Sequence, residues 1–317
     1  MTETFRVSAP GPYTTVQDRG RFGYVHMGVP VSGALDDFAY AAANLLVGNA
    51  EDRPTLEITF TGPELDVLSD ADIALAGAEM DVAVNGRPVR TWRSVRVKQG
   101  DRIAVGQAGS GCRGYLAVTG GIAVPDVMGS ASTYVSGRIG GIDGRPLQVG
   151  DILERGPGAL LENPRYMPWF PLYGPDIHVR AIPGPQDEYF RESMDLFFSY
   201  AYTVTDKANR MGYRLDGPAV SRDPGAPKSI ISEPSMHGNV QVPPDGKPII
   251  LMKEQTIGGY AKIATVITPD LFKVAQARPG DCIYFHPVTL DEAHGIYADW
   301  RQCEADIRHF FTPERGG

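Results

Sequence analysis

Short runs of alternating apolar and polar residues recur along the chain and predict many β-strands. Residues 56–60, Leu-Glu-Ile-Thr-Phe, and residues 94–97, Ser-Val-Arg-Val, are clear examples. Alternation with a period of two places the apolar side chains on one face of a strand. The segment 5–8 is predicted to be the first strand, and the apolar runs 248–252 and 263–267 are typical of buried strands. The pattern therefore indicates a mainly β protein.

Turn signals divide these runs. Residues 72–76 and 81–84 are predicted to be two separate strands, and the Asn85-Gly86 pair that follows them predicts a tight hairpin. The chain contains 37 Gly and 26 Pro, which suits a β-rich architecture with frequent turns.

Helix signals are fewer. Ser32, Asp36 and Asp37 favour a helix start, apolar residues follow them, and Gly48 favours the stop. The other predicted helices lie within residues 186–197, at 268–275 with Thr268 as the expected cap, and in an amphipathic stretch containing Ile296, Trp300, Cys303, Ile307 and Phe310.

The stretch 253–265 places polar side chains and a double glycine between two apolar runs. Gly258 and Gly259 permit positive φ or close approach of another group to the backbone. The polar residues could then converge on one small space: Gln255, Thr256, Tyr260 and Lys262. The alternative is an ordinary hairpin turn with surface polar residues, which is the usual meaning of a glycine pair between strands.

The two halves of the chain resemble each other. Residues 21–32 match residues 210–221 without a gap, from an Arg-x-Gly-Tyr start to a Val-Ser end. Further along, Glu57 aligns with Glu233, and both copies close with Gly-Asp-x-Ile. These ordered matches predict an internal duplication. We expect two related β-rich domains, and a cleft between domains is a preferred ligand site.

The domain boundaries follow from this repeat and from a proline-rich segment at residues 164–175. The predicted domains are residues 1–165 and residues 176–289, with a helical tail at residues 290–317. The glycine-dense region 109–157 is expected to form ordered loops, because Val, Ile, Tyr and Leu are interspersed in it.

Composition excludes several classes of function. The chain has 38 acidic and 30 basic residues and a pI near 5.3, which disfavours nucleic acids and anionic membranes as partners. No signal peptide or membrane-length apolar run is visible, so the cytoplasm is expected. Three scattered cysteines suit a reducing compartment, and no spacing typical of metal ligands occurs.

Two groups of residues are candidates for chemistry. The catalytic candidates are Arg210, Gln255 and Lys262, whose donors and charges suit a carbonyl oxygen that gains negative charge. The substrate-binding candidates are Gln17, Asp18, Arg19, Tyr213, Glu233, Gln241, Thr256, Gly258, Gly259 and Tyr260. For the two tyrosines the alternative is a place in a barrel wall, and for the Gln17-Asp18-Arg19 loop it is a salt bridge that fixes the loop.

Five motifs carry a resemblance to a known family. They are Gly-Pro-Tyr-Thr-Thr-Val-Gln-Asp-Arg-Gly-Arg at 11–21, Gly-Val-Pro-Val-Ser-Gly-Ala-Leu-Asp at 28–36, Asn-Arg-Met-Gly-Tyr-Arg-Leu at 209–215, Gln-Val-Pro-Pro-Asp-Gly at 241–246 and Gln-Thr-Ile-Gly-Gly-Tyr at 255–260. The chain resembles the allophanate hydrolase subunit 2 family, also called KipA or PxpC, whose members include one of the three subunits of 5-oxoprolinase. This family corresponds to half of the carboxyltransferase domain of urea carboxylase. The resemblance implies two cyclophilin-like β-barrel domains and, as a partner, the KipI-like subunit of 5-oxoprolinase.

The resemblance leaves three functions open. The first is ATP-dependent opening of the 5-oxoproline lactam to L-glutamate, together with the lamB-like subunit of 5-oxoprolinase. The second is transfer of a carboxyl group from carboxybiotin, delivered by a biotin carrier and charged by a biotin carboxylase, to an amide-type acceptor. The third is regulatory binding without catalysis. The sequence shows no ATP-binding motif and no biotin-attachment site, so we expect partners to supply both cofactors.

Overall fold

The structure is a computed structural model in which residues 1–227 and 229–311 are described. The chain divides into two compact units. The first unit contains Met1–Arg21, Ser32–Tyr173 and the chain from Ile307, and the second contains Phe22–Val31 and Gly174–Asp306. The proline-rich segment thus holds a boundary between units, while the domain bounds drawn from the sequence stay a prediction.

The first unit is built on one curled antiparallel sheet with the order β2-β3-β8-β4-β1-β9, in which β5 pairs with β6, β7 and β8. Its strands are β1 (Thr2–Ala9), β2 (Thr14–Gln17), β3 (Thr55–Thr59), β4 (Glu64–Val67), β5 (Ala71–Val84), β6 (Arg87–Val89), β7 (Ser94–Val97), β8 (Arg102–Val118) and β9 (Ile152–Arg155). Its core consists of the inward side chains of these strands, such as Phe5, Leu56 and Leu116. The periodic apolar residues of the sequence therefore lie inside, as alternation predicts.

Helix α1 (Asp37–Leu46) packs against β5 and β8. Asp36, and not Ser32, is the N-cap, because its side chain accepts a hydrogen bond from the backbone N–H of Ala39 at 2.9 Å. The predicted helix is confirmed, with its start moved to the residue whose carboxylate can reach that orphan donor.

The second unit is built on a closed seven-stranded barrel in the order β10-β17-β14-β15-β12-β11-β18, with a separate ribbon of β13 and β16. Its strands are β10 (Asp176–Pro183), β11 (Ala201–Val204), β12 (Gly212–Asp216), β13 (Glu233–Pro234), β14 (Asn239–Gln241), β15 (Ile249–Leu251), β16 (Ile257–Gly258), β17 (Lys262–Val266) and β18 (Cys282–Pro287). The helices are α2 (Met194–Ser199), α3 (Leu271–Ala275) and α4 (Leu290–Phe311), and α4 extends into the part of the chain assigned to the first unit.

The mainly β fold class is confirmed, with one closed barrel and one half-barrel sheet. The two units differ in the direction of their paired strands. Strands β10 and β18 pair in parallel in the second unit, whereas every named strand pair of the first unit is antiparallel. The strand order therefore adds no support for the duplication, which stays a prediction.

Several predicted elements change in detail. Residues 72–76 and 81–84 belong to the single strand β5, because bulges near Gly77 absorb the irregular residues while the ladder with β8 continues. The hairpin at Asn85-Gly86 is confirmed, with positive φ at both residues.

The predicted helices of the second unit are shorter than expected. Within the segment 186–197 only residues 194–197 lie in an α-helix, as the start of α2, since the chain near Gln186 is hydrogen-bonded to β17. Thr268 does not cap through its side chain, and a turn of 3-10 helix precedes α3.

The C-terminal amphipathic helix is confirmed as α4. Ile307 and Phe311 are buried, whereas Phe310 is half exposed, so the apolar stripe is covered only in part. Within the described residues, no helix combines the length and apolar character that crossing a membrane requires.

Candidate functional site

An ion pair between Lys262 and Glu233 is the centre of the candidate site. Lys262 is the first residue of β17, and its ammonium Nζ lies 2.5 Å from Oε1 of Glu233 on β13. The lysine side chain is 2% exposed and the glutamate side chain is 42% exposed. The hydrogen bond from Lys262 is the main reason that the pKa of Glu233 lies below its usual value. The pair thus holds a buried cation behind a carboxylate that solvent or a ligand can reach.

Gln186 is joined to both members of this pair. Its Oε1 accepts a hydrogen bond from the backbone N–H of Lys262 at 3.0 Å, and its Nε2 donates to Oε1 of Glu233 at 3.4 Å. The sequence pattern placed Gln186 only at the start of a predicted helix. Its signal in the sequence is weak, because nothing local links residue 186 to residue 262.

Gln241 lies beside the pair. It is opposite Lys262 in the register of β14 and β17, and its side chain is buried. Its Nε2 has no hydrogen-bond partner among the described residues. A buried amide donor without a partner is costly, so this group suits a ligand oxygen or an ordered water.

The double glycine serves close packing, not a reversal of the chain. Strands β15 and β17 each pair with β14 and not with each other, so the hairpin alternative is wrong. Gly258 pairs with Glu233 in the ribbon, and a Cβ atom at Gly258 would lie 2.3 Å from Nε2 of Gln241. Neither Gly258 nor Gly259 has positive φ. A side chain at residue 258 would therefore displace the Gln241 amide.

The remaining polar residues of this stretch are arranged around the ribbon. Gln255 donates from Nε2 to the carbonyl oxygen of Ile257 at 2.5 Å, and the carbonyl oxygen of Thr256 accepts from the N–H of Ser235 at 3.0 Å. Tyr260 is exposed and is open to a ligand or partner. Gln255 thus stabilises the turn before Gly258 in this structure.

Arg210 lies in a separate ion pair. Its Nε donates to Oε1 of Glu254 at 2.6 Å, and both side chains are 7% exposed. The backbone N–H of Glu254 also donates to the carbonyl oxygen of Arg210. These contacts fasten the chain just before Gln255, whereas Lys262 pairs with Glu233. The catalytic assignment of Arg210 stays a prediction, and the structure gives this residue a clear role in holding the loop.

Tyr213 does not face a ligand. Its side chain is 1% exposed, and its hydroxyl donates to the carbonyl oxygen of Ala275 at 3.2 Å. The expectation that it stacks on a substrate is corrected, because strand β12 turns this ring into the barrel, as the barrel-wall alternative stated.

In the first unit, the predicted loop residues Gln17, Asp18 and Arg19 organise their own surroundings. Asp18 accepts hydrogen bonds from the hydroxyls of Ser130 and Ser132 and from two backbone N–H groups. Gln17 is buried and donates to the carbonyl oxygen of Thr133 at 3.0 Å. Arg19 pairs with Glu51 at 2.9 Å near the surface. Asp18 therefore fixes the loop through neutral donors, and not through the salt bridge considered as an alternative.

The chemistry available in the second unit follows from these positions. Lys262 offers a positive charge, Gln241 offers a free amide donor, and Glu233 offers a proton acceptor with lowered pKa. Such a set can polarise a compact carbonyl group and accept a proton from the group that attacks it.

Comparisons with known proteins agree with the motifs. The family model described as carboxyltransferase domain, subdomain A and B, matches residues 27–287. The 5-oxoprolinase subunit designated C in Escherichia coli K12 is 39% identical over 294 residues, which cover 91% of this chain and 92% of that protein. The urea amidolyase of Lachancea kluyveri is 35% identical over 315 residues, which cover 92% of this chain and 17% of that protein.

A solved structure gives the same result. The crystal structure of K. lactis urea amidolyase aligns with a TM-score of 0.89 and 31% identity over 97% of this chain and 20% of that chain. This chain therefore spans about one fifth of that solved protein and nearly the full length of the E. coli protein. The resemblance drawn from the sequence motifs is confirmed, and the chain belongs to the family of the carboxyltransferase domain, subdomains A and B.

Proposed function

We propose that this chain is one subunit of an ATP-dependent 5-oxoprolinase-type complex, which opens the lactam of 5-oxoproline to L-glutamate. The observation that carries the proposal is the Lys262 ammonium held beside the half-exposed Glu233 carboxylate, with the free Nε2 of Gln241 next to them. A planar lactam carbonyl needs such donors when its oxygen gains charge.

Similarity to the E. coli protein favours this reaction over its alternatives. The match to the E. coli 5-oxoprolinase subunit covers nearly all of both chains, whereas the match to urea amidolyase covers a small part of a much longer protein.

The residues of this chain are assigned as follows. Lys262 and Gln241 stabilise the negative charge on the lactam oxygen, and Glu233 takes a proton from the attacking water. The water oxygen forms the new carboxyl group while the ring C–N bond breaks, and the ring nitrogen leaves as the amine after it gains the proton that Glu233 took from the water. Glu233 can serve as the acceptor because its carboxylate is ionised near neutral pH and is 42% exposed, while the hydrogen bond from Lys262, which lowers its pKa, weakens it as a base.

ATP chemistry is assigned to partner subunits. ATP bound by them would supply a phosphoryl group that activates the lactam, and this group would leave as phosphate, with ADP as the other product, once the ring has opened. The partners that the family suggests are a KipI-like protein and a lamB-like protein, which are the other two components of 5-oxoprolinase.

Carboxyl transfer is the second candidate, and the description of the matched family favours it. In that case a biotin carrier, charged by a biotin carboxylase, would deliver carboxybiotin, and the chain would hold a small amide or urea as acceptor. The unpaired Gln241 amide fits a ureido carbonyl as well as a lactam carbonyl.

The test is reconstitution with both sets of partners. The chain is purified with the lamB-like and KipI-like proteins, and glutamate release from 5-oxoproline is measured with and without ATP. A parallel reaction contains the biotin carrier, biotin carboxylase, bicarbonate, ATP and urea. ATP-dependent glutamate release supports the proposal, and carboxylation of urea without glutamate release replaces it with the second candidate.

Two variants connect the result to the site. Lys262→Ala should abolish turnover, whereas Lys247→Ala should retain it, because Lys247 forms an exposed pair with Asp216. A stable complex with neither activity would favour the regulatory alternative.

A further inference from the structure

A single residue holds both main-chain groups of Lys262. The ladder between β10 and β17 ends at Pro183 and Ala264, before it reaches Lys262. Beyond that end, Oε1 of Gln186 accepts from the N–H of Lys262 at 3.0 Å, and the N–H of Gln186 donates to the carbonyl oxygen of Lys262 at 3.3 Å. Gln186 thus replaces the missing strand partner at the residue that carries the buried ammonium.

The other end of the same carboxamide contacts Glu233. Because its oxygen must face the N–H of Lys262, its NH₂ group is directed the other way. Nε2 lies 3.4 Å from Oε1 of Glu233, the same oxygen that accepts from Nζ of Lys262 at 2.5 Å. The planar carboxamide of Gln186 therefore links the backbone of Lys262 to the carboxylate of Glu233.

The loop that carries Gln186 is closely packed on β17. A Cβ atom at Gly184 would lie 2.2 Å from the carbonyl oxygen of Lys262, and the N–H of Gly184 donates to the carbonyl oxygen of Ile263 at 2.8 Å. The backbone N–H of Asp187 donates to the carbonyl oxygen of Gly184 at 3.2 Å and closes the turn. The position of Gln186 is therefore fixed by backbone contacts on both sides of it.

The geometry points to Gln186 as the positioning residue of the Lys262–Glu233 pair: its carboxamide ties the backbone of Lys262 to the carboxylate of Glu233 and adds a second, weaker hydrogen bond to that carboxylate. The assignment rests on the proposed function only where it names the reaction that the Lys262–Glu233 pair performs. The contacts themselves require no substrate.

Gln186→Glu tests this role with almost no change of shape. The new carboxylate keeps an acceptor for the N–H of Lys262 but loses the donor to Glu233, and it places a second negative charge near that glutamate. A neighbouring carboxylate disfavours ionisation. We expect the proton affinity of Glu233 to rise by about tenfold, which corresponds to about one pKa unit.

The measurement is a titration of the Glu233 side-chain carboxyl by ¹³C NMR in the full chain. Gln302→Glu is the matched control, because Nε2 of Gln302 also donates to a carboxylate, Asp306, but on the surface of α4. The control should leave the Glu233 titration unchanged. In the reconstituted complex, Gln186→Glu should shift the acidic limb of the pH–rate profile to higher pH and lower kcat more than it changes KM.

Gln186→Asn provides a second test if the first variant does not fold. Its amide is one methylene shorter and cannot reach both partners, so the titration of Glu233 should shift upward by less than in Gln186→Glu. An unchanged Glu233 titration in a folded variant at residue 186 overturns the inference. A shifted titration without oxoprolinase activity in the parent complex leaves the inference standing and removes the proposed function.

Discussion

Two glutamates that share one register in the sequence repeat have opposite environments. Glu57 in the first unit is 1% exposed and accepts from the hydroxyl of Tyr115 at 2.8 Å and the N–H of Leu35 at 3.0 Å, with Arg113 at 3.8 Å. Glu233 in the second unit is 42% exposed at its side chain and pairs with Lys262.

The two carboxylates differ in their access to solvent. Glu57 is enclosed by protein donors, and burial beside this carboxylate raises the pKa of Tyr115 far above its usual value. Such a group stabilises the region around α1 through buried hydrogen bonds. Glu233 has a cation behind it and solvent in front of it. The two glutamates, which align in the predicted repeat, thus have an enclosed environment in one unit and a solvent-accessible, charge-paired environment in the other.

The largest expected effect is a difference in the free energy of unfolding between alanine variants of the two glutamates. Glu57→Ala should lower the free energy of unfolding by about 3–5 kcal/mol, because it leaves buried donors and a buried cation uncompensated. Glu233→Ala should lower it by less, about 1–3 kcal/mol, because it removes the carboxylate from the buried Lys262 ammonium on a side that solvent reaches. Urea denaturation followed by circular dichroism measures both.

Glu64→Ala is the exposed-pair control in the first unit, since its partner Arg102 is 59% exposed, and it should lower the free energy of unfolding by less than about 1 kcal/mol. Equal losses for Glu57→Ala and Glu233→Ala would contradict the comparison.

The second effect is on turnover. Lys262→Met keeps most of the buried volume but removes the charge, so kcat/KM of the reconstituted complex should fall by about 10²–10³-fold. Stability should change little, because the Glu233 carboxylate that remains is 42% exposed and stays hydrated. Steady-state kinetics and a denaturation curve on the same preparation measure the two effects, and near-normal kcat/KM would remove Lys262 from the site.

A smaller effect is expected from the double glycine. Gly258→Ala should displace the Gln241 amide and raise KM by about tenfold, or about 1.4 kcal/mol of binding. In Gly259→Ala the new Cβ atom would lie 3.3 Å from Oγ of Ser232, a milder contact, so KM should change less. Equal KM values in the two variants would show that the approach of Gln241 to Gly258 is not used in binding.

The smallest effect is the pH dependence of stability. The folded-state pKa of Glu233 is lowered, chiefly by Lys262, so its contribution to stability is present above the ordinary value of 4.5 and is lost as the pH falls below it. Because the side chain is half exposed, solvent screens the effect. Acid titrations of stability for the parent and Glu233→Gln should converge below that value, and a constant difference at all pH values would argue against the pair.

Local patterns in the sequence predicted much of the secondary structure. The alternating runs at 56–60 and 94–97 are strands, the Asn85-Gly86 hairpin is present, and α1 and α4 lie where the helix signals placed them. These features depend on the preferences of neighbouring residues, which the sequence displays directly. The break between 72–76 and 81–84 was misjudged because a bulge interrupts the period without ending the strand.

The candidate site was predicted in part. Lys262, Glu233, Gln241 and Gly258 meet in the second unit, as their polar and glycine-rich context suggested. Tyr213 was placed wrongly, since its aromatic ring and hydroxyl are equally suited to a ligand and to the core.

The amino-acid sequence by itself determined the β-rich class, the turn positions and the polar stretch around the double glycine, because these follow from short-range periodicity. Only the tertiary structure decided that Gln186 joins Lys262 across 76 positions, that Glu57 is enclosed, and that Glu233 stays open. Burial and hydrogen-bond partners are set by segments distant in the chain, so no local pattern contains them.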